Sequence, residues 1–365
     1  MTTQGPLHGV RVLDLSWLLP GPFFTGIFAD LGAEVLKVER PGDGDYTRAL
    51  LPGMFRLANR GKRSAVLDLR KNDGREAVLR LAERADVFVE GFRPGVMKRL
   101  GVDYEQVKQR NAGIVYVSLS GYGQAGSAAL EPGHDVNYTG RAGLMAIPSS
   151  VGQSNEAPRM QLPVSDIAGA MYAAVSTLAA LREKDRTGEG QWLDVSLTQS
   201  ALAWSAVRWA DAPTGDGGWR HVMAGNDVFT ASDGARLGVA LVEHQFWDAF
   251  VAGLEQGERE ELVAAAGEQR TKDGMLRRVI ASRTSAQWLQ YAKEHDLPIS
   301  RIAASFDDMR ADPMFTERDA WIDTGAGSRA MPAYPVKMRG LRNRADAPGF
   351  GEATGDVAWL WGARA

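Results

Sequence analysis

Cysteine is absent from the 365 residues, which excludes disulfides, thiolate metal sites, iron–sulfur clusters and thiol nucleophiles. Neither sign of charge dominates. The 42 Lys and Arg face 45 Asp and Glu, a formal net charge of −3, so the chain lacks the electrostatic footprint of a general nucleic-acid binder. No uninterrupted apolar run approaches the ~18 residues that span a bilayer. The start, Met1-Thr2-Thr3-Gln4-Gly5-Pro6, has no basic stretch followed by an apolar one, so no secretory signal is expected. No repeat of fixed period occurs. Histidine is scarce: His8, His134, His221, His244 and His295 do not stand at metal-ligand spacing from one another, and no catalytic metal is expected. A cytoplasmic location is the expectation.

What is present is a β-α-β rhythm. Short apolar runs at 10–15, 33–38, 64–69, 86–89, 114–119 and 192–195 alternate with helical patterns at 22–31, 73–84, 166–184 and from 196 to about 209. That alternation predicts an α/β fold with a mostly parallel, Rossmann-like sheet. The sequence divides into a large domain over 1–205, a linker over 206–222 opened by the Asp211–Gly218 turn residues, a smaller α+β domain over 223–325, and a segment over 326–365 returning to the large domain. A hairpin around Ser232-Asp233-Gly234 opens the smaller domain, and amphipathic helices follow at 245–254 and 285–294.

The loop Gly121-Tyr122-Gly123-Gln124-Ala125-Gly126 fits a dinucleotide fingerprint in letter. Pro132 and Gly133 then interrupt any helix, and no acidic residue stands about 20 positions on, so an active-site loop is the better reading. His134, after Pro132-Gly133, stands on a loop entering a helix. There the helix dipole disfavours the imidazolium and leaves a neutral base; a histidine that merely caps the helix is the alternative. Asp166 opens a long apolar helix, with Ser165 or Asp166 as its N-cap by spacing. Basic residues, among them Arg40, Arg60, Lys62, Arg63, Arg70, Arg93 and Arg99, gather near strand ends, where parallel sheets bind ligands. No Gly-x-Ser-x-Gly elbow, Walker A motif or His-Glu-x-x-His occurs.

Together these pieces resemble the family III CoA-transferase superfamily, which also contains the α-methylacyl-CoA racemases. The resemblance spans nearly the whole chain. It is carried by Pro20-Gly21-Pro22, Ala29-Asp30-Leu31-Gly32-Ala33-Glu34-Val35-Leu36-Lys37-Val38-Glu39, Asn59-Arg60-Gly61-Lys62-Arg63-Ser64, Glu90-Gly91-Phe92-Arg93-Pro94-Gly95 and Arg186-Thr187-Gly188-Glu189-Gly190-Gln191. It implies an interlocked homodimer, with the site between the large domain of one subunit and the small domain of the other. Gly133-His134-Asp135-Val136-Asn137-Tyr138 looks like the racemase signature, and Glu243 like the carboxylate that supports the histidine. Leu19 stands where formyl-CoA transferases carry a catalytic Gln, and their Gly-rich loop is missing between Phe229 and Glu243. Leu162, in place of a supporting Asn, and Val164-Ser165-Asp166-Ile167-Ala168-Gly169 read more like a transferase.

The resemblance thus implies racemisation of a 2-methyl-branched acyl-CoA by His134, Asp166 and Glu243, with N–H groups at the start of the Asp166 helix near the enolate oxygen. CoA transfer through an aspartyl thioester on Asp166 is the alternative. Arg40, Arg60, Lys62, Arg93 and Arg99 are the expected phosphate ligands. Coenzyme A enters only as part of the substrate, and neither a further cofactor, a nucleic acid nor a membrane is expected.

Overall fold

A computed structural model describes residues 4–146, 162–210, 223–265, 269–324, 329–357 and 361. The chain forms two compact units. The larger takes described residues up to Leu144, 162–205 and those from Pro313 onward, and the smaller takes those from Ala206 to Asp312. Residues 313–324, read from composition with the smaller domain (223–325), group with the larger one. The Asp211–Gly218 linker lies outside the described residues.

The larger unit is built on a six-stranded sheet: β1 (Arg11–Asp14), β2 (Glu34–Glu39), β3 (Arg63–Val66), β4 (Val87–Glu90), β5 (Val115–Ser120) and β6 (Trp192–Ser196). The order is β3-β2-β1-β4-β5-β6, and every pairing is parallel. This is a doubly wound, Rossmann-like sheet whose order reverses between β1 and β4. Side-chain alternation explains the two covered faces. Val12, Val35, Val87, Val89, Val115 and Val117 point to one face and meet Phe24 and Phe28 of helix Pro20–Asp30 and Ala170, Ala173 and Ala174 of helix Val164–Thr187. Leu13, Leu36, Phe88 and Tyr116 point to the other and meet Val78, Leu79 and Leu81 of helix Asn72–Ala82 and Val107 of helix Tyr104–Arg110.

The Val164–Thr187 helix is long and apolar enough to cross a membrane by length and composition, which scattered Ser and Thr hide in a search for unbroken runs. Half of that apolar stretch is buried inside the protein, on this sheet.

Strand β3 is an edge, and the chain covers it from far away. Ala353 N–H donates to Ser64 O (2.8 Å), Val66 N–H donates to Thr354 Oγ1 (2.9 Å), and Gly61 N–H donates to Asp346 O (2.8 Å). Trp361 is buried in the core below the sheet, and its carbonyl accepts from Arg84 Nη1 (2.5 Å). Covering an edge in this way satisfies backbone groups that would otherwise pair with another chain.

The smaller unit has a three-stranded antiparallel sheet: β7 (Asn226–Thr230), β8 (Arg236–Ala240) and β9 (Ile299–Arg301). Helices His244–Ala252, Gln256–Ala264, Gln269–Ala281 and Ser285–His295 pack on it around Trp288, Phe229, Phe250 and Leu276. The Trp288 indole N–H is satisfied by Ile280 O at 2.8 Å.

Candidate active site

Ligands of open α/β sheets bind beyond the carboxyl ends of the strands where the order reverses. A cavity of about 480 Å³ lies there. The turn after β1 supplies Trp17 and Leu18, the loop after β4 Phe92 and Arg93, and the loop after β5 Gly121 and Tyr122. His134, Tyr138 and Asp166 complete its wall. The structure thus brings His134 and Asp166, 32 positions apart in the sequence, to one cavity.

Asp135 ties the two together. It opens helix Asp135–Arg141, directly after His134, and its Oδ1 accepts from Ser165 N–H (2.8 Å), from Ser165 Oγ and from Asp166 N–H (3.4 Å). The spacing had pointed to Ser165 or Asp166 as the N-cap of the long helix. Instead the N-cap is Pro163, without a side-chain bond of its own, and the capping carboxylate comes from the neighbouring loop. The Ser165 and Asp166 amides are therefore turned to Asp135, which corrects the expectation that they serve an enolate oxygen. Burial, and then the Asp135 charge, push the Asp166 carboxyl up to about 7. A carboxyl titrating near neutrality is matched to general acid and base work.

Tyr138 explains the glycines. Its hydroxyl donates to Gly133 O, and its ring meets Tyr122 edge-on at 5.1 Å. A Cβ on Gly133 would stand 2.6 Å from the Tyr138 ring, and one on Gly121 would be closer still. Gly121 and Gly133 thus let the Tyr138 ring pack between two loops, which accounts for the fingerprint-like letters without a dinucleotide. Burial, and then the Asp166 charge, push the Tyr138 hydroxyl up to about 12.

The basic residues divide sharply. Lys62 is fully buried: its Nζ lies 3.1 Å from Asp14 Oδ2, 2.9 Å from Pro22 O, 2.7 Å from Thr25 Oγ1 and 2.8 Å from Asn59 Oδ1. Arg60 is buried too and forks onto Asp30 at 3.2 and 2.6 Å, with Nη1 on Leu57 O. Lys62 has no donor left for a phosphate, and Arg60 is buried and held by Asp30 and Leu57, which corrects both assignments. Their work is internal. Burial alone would raise the Asp14 pKa, but Lys62 and Lys37, with the Ser16 and Thr25 hydroxyls, outweigh it and bring it to about 2. Asp14 in turn holds Ser16 N–H (2.9 Å), while Lys37 donates to Ser16 O (2.8 Å). Next in the chain, Leu18 adopts a left-handed φ of 64° and donates to Asp45 Oδ1 at 3.3 Å. A strained non-glycine residue on a cavity wall, held by buried charges, is a mark of a functional site.

Arg40, by contrast, is partly exposed, and its ion pair, to Asp43, is a long one at 3.7 Å. It lies over the rings of Trp17 (5.0 Å) and Tyr46 (4.7 Å). With Arg70, an exposed side chain that forks onto Asp68 at 2.9 and 3.3 Å, it lines a second cavity of about 430 Å³, which shares Trp17 and Phe92 with the first. Arg93 is exposed and lines the first cavity. Arg99 is exposed on helix Val96–Leu100 and lines neither of the two. Glu243 is exposed at the N-cap of helix His244–Ala252, in the smaller unit. Among the described residues no group of three or more His, Asp or Glu could hold a metal ion. Trp17 and Asp135 are the additions to the expected site, and Arg70, one of the basic residues near strand ends, joins the expected phosphate ligands. Asp135 sat beside His134 in the sequence, and only its reach to Ser165 was hidden.

Comparison with known proteins gives the same placement. The profile of CoA-transferase family III matches residues 7–354. The acetyl-CoA:oxalate CoA-transferase of Acetobacter aceti is 32% identical, over 95% of this chain and 92% of that protein. The α-methylacyl-CoA racemase of Mus musculus is 31% identical, over 98% and 93%. Among solved structures, a CAIB/BAIF family protein from Brucella suis superposes with a TM-score of 0.83 at 26% identity, over 97% of this chain and 99% of that one. The chain belongs to CoA-transferase family III.

Proposed function

We propose that this protein inverts the configuration at the α-carbon of a 2-methyl-branched acyl-CoA. The observation that carries the reading is the single cavity lined by both His134 and Asp166. A thioester carbonyl makes the α-hydrogen acidic by taking its charge as an enolate. One group removes that proton, and the other delivers its own proton to the opposite face. One proton leaves carbon and one arrives, so the pair carries one proton before and after. Asp135 keeps Asp166 in register with His134, and the partner subunit's Glu243 hydrogen-bonds the imidazole and fixes its tautomer. The acyl end lies in the first cavity. The CoA body runs past Trp17 and Phe92 into the second, where Arg40 and Arg70 meet phosphate. CoA enters as substrate, and proton transfer requires no further cofactor. Apolar side chains left exposed on helix Val164–Thr187, such as Met171, Tyr172 and Val175, support pairing with a second copy.

The names of similar proteins favour a second reading, CoA transfer. There the Asp166 carboxylate attacks the thioester carbonyl, the C–S bond breaks, and CoA leaves as thiolate while the acyl group stays on Asp166 as a mixed anhydride. The thiolate then attacks the Asp166 carbonyl and releases the first acid, leaving an aspartyl-CoA thioester for the acceptor acid. NMR in D2O separates the two. Racemisation puts deuterium at C2 of an acyl-CoA with no acceptor acid present. No exchange, together with hydroxylamine trapping of a thioester at Asp166, would overturn the racemase reading and support transfer.

A further inference from the structure

The sheet register sets three polar residues side by side near the carboxyl ends of its strands. Glu90 on β4 pairs with Ser118 on β5, and Ser118 pairs with Asp194 on β6. Paired residues on parallel strands point to the same face, so this is one row. Each carboxylate in it holds a loop that walls the active-site cavity. Glu90 Oε2 accepts from Phe92 N–H at 2.8 Å, and both Asp194 oxygens lie 3.0 Å from the Gln124 N–H. Ser118 sits between the two carboxylates: its hydroxyl accepts from Trp192 Nε1 at 3.0 Å and favours the charged form of Glu90. Glu90 itself is 3% exposed. It does not line the cavity where His134 and Asp166 stand. It lines a separate one of about 190 Å³, which shares Arg93 with it.

We propose that Glu90 is a positioning residue that fixes Phe92 and Arg93 for coenzyme A, and that its ionisation sets the grip of the protein on CoA. This rests on the reading that CoA crosses Phe92 and Arg93. A carboxylate accepts a backbone N–H more strongly than a neutral carboxyl does, so the loop is held best when Glu90 is charged. Burial, partly offset by the Ser118 hydroxyl and the Phe92 amide, pushes the Glu90 carboxyl up to about 7, with Asp194 adding to the rise. The titratable and charged groups facing it are Asp194 from β6, Tyr116 from β5, Asp103, Tyr104 and Glu105 from the segment entering helix Tyr104–Arg110, and Arg93 and Lys98 from the segment after β4. None forms an ion pair with Glu90, so its charge is free to change.

The experiment is calorimetric titration of the full-length protein with coenzyme A between pH 6 and 8.5. Wild-type affinity is expected to fall about five-fold as Glu90 protonates. Phosphate ionisation of CoA adds a slope common to all variants. Glu90→Gln, which keeps an acceptor but has no charge to gain, should bind at the weaker level and lose the extra pH dependence. Ser118→Ala removes a donor to the charged form, so its inflection should move to higher pH; it also tests the inference if Glu90→Gln does not fold. Catalytic turnover at saturating substrate should keep the pH dependence set by Asp166. Glu90→Gln with the wild-type profile, or Ser118→Ala with an unmoved inflection, overturns the inference. Wild-type protein that binds CoA equally across this range overturns the role of Glu90 alone, whereas wild-type protein that does not bind CoA overturns the proposed function as well.

Discussion

Replacing Asp135 by Asn should move the whole pH profile of proton exchange to lower pH without dismantling the site. On the racemase reading, the active form of the pair carries one proton, shared between His134 and Asp166. Kcat/KM should therefore be bell-shaped, and nearly the same for the two C2 epimers because their equilibrium constant is close to one. The limbs belong to the pair as a unit. Asp166 titrates at about 7, mainly through burial and then through the Asp135 charge. Asn leaves burial unchanged and still offers an oxygen to the Ser165 and Asp166 amides, but removes the charge. A like charge about 6 Å away in a medium of effective dielectric roughly 20 to 40 is worth roughly one to two pH units. Burial, the larger cause, remains, so a downward displacement of about one unit is expected. The lost charge at the helix start should lower stability by only ~0.3–1 kcal/mol. The assay is NMR-monitored deuterium incorporation into both epimers from pH 5 to 9, with thermal melting as the control. A bell that stays in place, or moves up, while the protein remains folded would refute the reasoning.

Gly121→Ala should lower the exchange rate by ~10²-fold, because the Tyr138 ring must move away from the His134 loop; near-wild-type turnover would count against a role for that packing. Lys62→Met strands the buried Asp14 carboxylate and should destabilise the protein by ~3–5 kcal/mol in urea titration, whereas a phosphate-binding Lys62 would change KM and leave stability alone. The Asp14 carboxyl lies at about 2 in the fold against an ordinary 3.8. Its contribution to stability is present above pH 3.8 and is lost as pH falls through 2, which acid unfolding followed by circular dichroism would register. Arg40→Ala should raise the KM for acyl-CoA by about 10-fold or more with kcat little changed.

The strand and helix alternation of the larger unit was legible because each strand is buried on both faces and so reads as a short apolar run. The pair His134 and Asp166, which share a cavity, was legible through the family resemblance, since the residues alone left each open to a capping role. Arg60 and Lys62 misled because what captures them is distant: Asp30 and Asp14 lie 30 and 48 positions earlier, and only the fold shows that they arrive first. The cap of the Asp166 helix failed for the same reason, since Asp135 reaches it from 30 positions away. The Gly121 and Gly123 pattern is set by a neighbour's side chain and by a left-handed turn at Gly123 (φ 88°), and a letter pattern cannot tell those from a pyrophosphate.

The strap over strand β3 has a consequence for biosynthesis. Arg48 donates to Pro348 O, and Val66 to Thr354, across 300 and 288 positions. At about 5–20 residues per second of translation, a nascent chain waits roughly 15–60 s with that edge bare and the slot for Trp361 empty. Throughout that interval the ribosome carries an unfinished sheet able to recruit a neighbour's strand. Slow codons late in the message should therefore lower the soluble yield more than slow codons early in it.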